Sequence, residues 1–66
     1  MEGYYVATYA VYKNGSIMGT EDHHIEADSD EEADRKAREL ATKLEEASFI
    51  RTGDDWWFDL EYIDVD

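Results

Sequence analysis

The chain has 66 residues, 42% of them apolar, no cysteine, and 18 acidic side chains against 6 basic ones, for a formal net charge of −12. That length excludes a second domain, and the lack of thiols excludes both a disulfide framework and a thiolate zinc site. The charge excludes direct binding to nucleic acid or to anionic membranes, while the apolar and aromatic content excludes an acidic disordered tail.

Gly3 to Tyr12, "GYYVATYAVY", is the longest nearly uncharged run. It is too short to cross a bilayer and lacks the basic flank and cleavage pattern of a signal peptide, so a cytoplasmic protein is expected. Tyr, Val and Ala from Tyr4 to Tyr12 read as a strand, "KNGS" as a turn, and Ile17 to Ala27 as a second strand. Asn14-Gly15 predicts a two-residue hairpin turn, because both central positions of a type I′ turn need positive φ. The regular register pairs Tyr12 with Ile17, Ala10 with Gly19, Thr8 with Glu21, Val6 with His23 and Tyr4 with Ile25 on one face. The opposite face then carries Tyr5, Ala7, Tyr9 and Val11 beside Met18, Thr20, Asp22, His24 and Glu26.

In "ADSDEEADRKARELATKLEEA", Ser29 and Glu32 have the spacing of a capping box, with Asp30, Glu31 and Glu32 at the positive end of the helix dipole. The predicted helix runs to about Ala47. Ala33, Ala37, Leu40, Ala41, Leu44 and Ala47 form its apolar stripe, which is small enough to lie close to a sheet. Glu31/Arg35, Glu32/Lys36, Asp34/Arg38 and Glu39/Lys43 form i,i+4 pairs on its solvent side. Ser48 to Thr52 reads as a short strand or a turn. The last strand, from about Trp56 to Val65, alternates Trp56, Phe58, Leu60 and Tyr62 against Trp57, Asp59, Glu61 and Ile63, and the first set is assigned to the core. Gly15, Gly19 and Gly53 are read as turn positions or strand irregularities.

The expected fold class is α+β, a single two-layer domain over residues 1–66. Its small antiparallel sheet follows the order β-β-α-β, or β-β-α-β-β if Ser48 to Thr52 is a strand, with the helix packed on one face. The last strand lies beside the first, which becomes central. One helix cannot cover both faces, so Tyr5, Tyr9, Val11, Met18 and Trp57 are expected on an open outer face.

Asp22, His24 and Glu26 share a face at alternate positions and are the candidate metal ligands, but no third strong ligand elsewhere completes a site, so no metal or cofactor is expected. "ADSDEEAD" and "TGDD" lack the alternation, central glycine and final glutamate of an EF-hand loop. No nucleophile–base pair, paired carboxylates across a cleft or phosphate-binding glycine pattern stands out, and a non-enzymatic protein is expected.

The passage "HHIEADSDEEADRKARELA" resembles a strand-to-helix unit common in small prokaryotic and phage proteins, some small anti-CRISPR and other anti-defence proteins among them. The resemblance covers about a third of the chain, rests on helix-capping rules, and implies no functional residue.

Two functional readings follow. In the first, the chain is an acidic interaction protein for a basic partner such as a nucleic-acid-binding protein, in the sharpest form an inhibitor whose carboxylates stand where phosphates would. Tyr5, Tyr9, Met18, Asp22, Glu26, Trp57, Asp59 and Glu61 are its candidate contact residues. In the alternative, the aromatic face joins two copies into a homodimer, and the acidity serves solubility or a high-salt cytoplasm.

Overall fold

A computed structural model of the chain describes residues 3–66. Strand β1 (Gly3–Lys13) turns through Asn14-Gly15 into β2 (Ser16–Ala27), helix α1 (Asp30–Thr52) follows, and β3 (Trp56–Val65) ends the fold. The sheet is antiparallel with strand order β2-β1-β3, so β1 is central and α1 covers one face, the predicted two-layer α+β architecture. Among the described residues no helix is long and apolar enough to cross a membrane.

Local signals set the element ends. Asn14 and Gly15 adopt φ of 50° and 83°, as a type I′ turn requires. The Ser29 hydroxyl accepts the Glu32 backbone N–H at 3.2 Å, and the Glu32 carboxylate accepts the Asp28 N–H at 3.1 Å, one residue outside the simplest capping box. The bond from the Asp28 N–H, with Lys36 beside it, holds the Glu32 carboxyl below its usual pKa. The helix does not stop near Ala47. It continues to Thr52 and ends on Gly53, whose φ of 79° lets its N–H return to the Phe49 carbonyl at 2.7 Å. Ser48 to Thr52 is therefore helix, and buried Ser48 replaces exposed Ala47 at the end of the inward stripe formed by Ala33, Ala37 and Ala41.

The largest departure from expectation concerns sidedness. Beyond Tyr12↔Ile17, the β1–β2 register slips by one, so that Val11 pairs with Gly19, Thr8 with Asp22 and Tyr5 with Ile25. Met18 is the extra residue of this bulge, and Gly19 beside it takes a φ of 136° that favours glycine. A second slip in the β1–β3 pairing falls between Tyr9↔Leu60 and Thr8↔Tyr62, with Glu61 as its extra residue. Each bulge turns the rest of its strand over. Ile25 and Ala27 from β2, and Ile63 from β3, join Tyr5, Ala7, Tyr9 and Val11 against α1 with Trp56, Phe58 and Leu60. Tyr5 and Tyr9 thus face the helix, not the open side, and Tyr62 and Ile63 exchange their expected faces. Tyr9 has no exposed surface, and its hydroxyl donates to the Ala37 carbonyl at 2.6 Å, a close approach that the alanine stripe permits.

Two polar clusters fasten the layers. Asn14 Nδ2 donates to Asp54 at 3.1 Å, Asn14 Oδ1 accepts the Asp55 N–H at 3.0 Å, and the Asn14 N–H donates to the Asp55 carbonyl at 2.7 Å, tying the hairpin turn to the α1–β3 loop. The Trp56 indole N–H donates to Thr52 Oγ1 at 2.8 Å, and that hydroxyl donates to the Ser48 carbonyl at 2.7 Å. On β3, a sheet edge, the Phe58 N–H donates to the Glu45 carboxylate at 2.9 Å, so a helix side chain satisfies an edge donor.

Candidate functional site

The even-numbered residues of β1 define the uncovered face. The registers place five rows across the sheet: Ile17, Tyr12 and Trp57 at the hairpin end, then Thr20, Ala10 and Asp59, then Asp22, Thr8 and Tyr62, then His24, Val6 and Asp64, and last Glu26, Tyr4 and Asp66. Rows repeat at about 6.6–6.8 Å along a strand, and the two outer strands lie about 9.5 Å apart across the central one. The outcome is a shallow floor of Ala10, Thr8 and Val6 between two carboxylate rims, closed at one end by aromatic and aliphatic side chains.

At the apolar end, Tyr12 and Trp57 stack with ring centroids 4.9 Å apart and planes 26° apart. Trp57 remains 54% exposed and Ile17 62%. Toward the other end, Thr8 donates its hydroxyl to Asp22 at 2.8 Å, and His24 Nε2 lies 3.6 Å from Asp66 Oδ2. Among the described residues the face carries Asp22, Glu26, Asp59, Asp64 and Asp66 but no lysine or arginine.

The cations lie elsewhere. Arg35, Lys36, Arg38, Lys43 and Arg51 all belong to α1, where Arg38 pairs with Asp34 at 2.9 Å and Lys36 with Glu32 at 3.3 Å. Arg35 approaches Glu32 at 3.9 Å, an i,i+3 pair instead of the expected one with Glu31. Lys13, the sixth, folds to the helix side, with Nζ 5.9 Å from the Trp56 ring centroid and 3.6 Å from Asp54. Helix α1 thus nearly balances its own charge, and most of the excess negative charge falls on the strands and loops.

The candidate contact residues divide accordingly. Asp22, Glu26, Trp57 and Asp59 come together on the open face. Tyr9 is core and cannot touch a partner. Tyr5 is half-buried on the helix side and donates its hydroxyl to Asp30 at 3.0 Å; that bond, burial and the adjacent negative charge all raise its pKa. Met18 is exposed in its bulge near Val11 and Trp56, and Glu61 sits in the other bulge, so neither joins the main face.

Besides the floor residues Ala10, Thr8 and Val6 and the terminal Tyr4, alternation also leaves Tyr12, Ile17, Tyr62, Asp64 and Asp66 off the site, although the registers place them on this face. Strand alternation alone points Tyr62 inward, and only the Glu61 bulge reverses it. Asp64 and Asp66 share a parity with Tyr62, so they move with it.

A groove of about 360 Å³ lies on the helix side between α1 and the far half of β3, lined by Tyr5, Asp34, Arg38, Leu60 and Ile63 among others. Within it Arg38 pairs with Asp34, and the Tyr5 hydroxyl donates to Asp30. Among the described residues no group of three or more His, Cys, Asp or Glu side chains is placed to hold a metal ion.

Neither a family model, nor a curated protein, nor a solved structure matches this chain, so the geometry of the open face stands alone as the guide to function.

Proposed function

We propose that this domain is a non-enzymatic, cytoplasmic interaction protein that binds a basic partner through the open face of its sheet. The observation that carries the reading is charge segregation: among the described residues the uncovered face has five carboxylates and no lysine or arginine, and every cation lies on or beside the helix side. Carboxylates at alternate strand positions steer a cationic surface over long range and pair with its Lys and Arg on contact, while exposed Trp57 and Ile17 add an apolar anchor. The sharper form of the reading is an inhibitor that occupies the nucleic-acid groove of a defence protein, its carboxylates standing in for phosphates.

Self-association through the same face is the less favourable alternative. A second copy would set five carboxylates against their own kind, and two unit charges about 7 Å apart in water repel by roughly 0.6 kcal/mol before screening. A basic partner reverses that sign.

The test uses the wild-type domain and an Asp22→Lys/Asp64→Lys variant as baits in a nucleic-acid-depleted lysate. Proteins captured by the wild type should be basic, should be lost with the variant, and should be released by salt or added nucleic acid. Capture that is indifferent to both the substitutions and the salt would refute the proposal. A concentration-dependent dimer that buries Trp57, seen by light scattering, would favour self-association.

A further inference from the structure

The two adjacent tryptophans occupy comparable settings on opposite faces of the sheet, and the chain fills one of them. On the helix side, Lys13 Nζ sits 5.9 Å from the Trp56 ring centroid and 3.6 Å from Asp54, a cation held between an indole and a carboxylate. On the open side, Trp57 has Asp59 two residues along the same face of the same strand, about 6.8 Å away in backbone rise. None of the ion pairs among the described residues involves Asp59, and that face has no lysine or arginine to supply one.

The aromatic part of this second setting is already organised. Tyr12, the cross-strand partner of Trp57, stacks on its ring at 4.9 Å and so restrains the indole while covering one of its faces. Trp57 as a whole remains 54% exposed despite that stack. A planar cation stacked on the exposed indole would lie one strand repeat, ~6.8 Å in backbone rise, from Asp59.

We infer that Trp57, backed by Tyr12 and joined by Asp59, is a receptor for one arginine side chain of the partner. This rests on the proposal that the open face binds a basic protein, and adds which cation is read and where. Arginine fits better than lysine. Its guanidinium stacks flat on an indole while its edge N–H groups donate in parallel to a carboxylate, whereas an ammonium is a point charge with a tightly held hydration shell. The remaining carboxylates, Asp22, Glu26, Asp64 and Asp66, attract either cation without distinguishing them.

The test uses two capped peptides of equal length and charge, alternating glycine with arginine in one and with lysine in the other, titrated into the folded domain by calorimetry. The arginine peptide should bind about tenfold more tightly, the scale expected of one well-placed cation–aromatic contact. Trp57→Leu should erase that preference by weakening the arginine peptide alone. Asp59→Asn, which preserves shape, should also reduce the preference and guards against a folding defect in the tryptophan variant. Asp64→Asn should weaken both peptides alike.

If both peptides bind equally and Trp57→Leu changes neither affinity, the arginine receptor is refuted while the acidic-face proposal survives. If neither peptide binds at low ionic strength, both are refuted.

Discussion

Tyr9 carries the sharpest consequence of the fold, because its position beneath α1 reverses the face that simple alternation assigns to it. Tyr9→Phe keeps the edge-to-face contacts with Phe58 and His23, at centroid distances of 6.2 Å and 5.6 Å, and deletes only the 2.6 Å hydrogen bond to the Ala37 carbonyl. That carbonyl lies mid-helix and keeps its ladder position, so the loss should be about 1 kcal/mol. Tyr9→Ala also removes the ring and opens a cavity, for roughly 3–5 kcal/mol by analogy with buried aromatic truncations. A domain of 66 residues has roughly 3–10 kcal/mol in total, so the alanine variant should be largely unfolded or close to it.

Urea titration followed by far-ultraviolet circular dichroism measures both variants. With a slope of about 1 kcal/mol per molar, Tyr9→Phe should lower the midpoint by about 1 M. Alkaline pH supplies an independent check. Burial raises the Tyr9 phenol above 10.0, so the folded chain holds this proton more tightly than the unfolded chain does. The resulting stabilisation is complete below pH 10.0 and is lost as the pH rises through the raised value. The wild-type advantage over Tyr9→Phe should therefore narrow above pH 10.0. A Tyr9→Ala variant that melts cooperatively near the wild-type midpoint would show that Tyr9 is not under the helix, and the assignment of the open face would fail with it.

Ser29→Ala should cost about 1 kcal/mol by removing the acceptor for the Glu32 N–H, read as a lower melting temperature. Asn14→Gly keeps the positive φ of the turn but removes the side-chain bonds to Asp54 and Asp55, for roughly 1–2 kcal/mol. Combined with Asp54→Ala, its effect should be less than additive because the two changes delete one bond in common. Full additivity would mean that this bond contributes nothing in solution.

The candidate site was legible in part. Trp57 reaches the open face because the β1–β3 pairing is regular from the loop as far as Leu60, and Asp59 follows from the same parity. Asp22 and Glu26 also reach it, but opposite Thr8 and Tyr4 instead of the odd-numbered β1 residues that an unbroken hairpin would give them. Tyr9 was lost from the site and Tyr12 gained for a single reason: the β1 run has aromatic and aliphatic side chains on both faces, so its own pattern does not choose a side.

What the amino-acid sequence determined alone is the set of features whose interactions are local. Asn14-Gly15 specifies a turn because few residue pairs tolerate two successive positive φ values, and Ser29 with Glu32 begins a helix because its first N–H groups need nearby acceptors. Gly53 could have marked the true end of α1. Phe49 and Ile50 obscured it, since their strand-forming character carries little weight on the exposed side of a helix already propagating. The tertiary structure alone decided which side of β1 faces inward. One extra residue at Met18 and another at Glu61 invert the remainder of two strands, and the gain is collective: Ile25, Ala27 and Ile63 move under α1 while Asp22, Glu26, Asp64 and Asp66 remain in water. No window of sequence holds that comparison, because it is made across three strands and a helix at once, by the difference between burying aliphatic side chains and burying carboxylates.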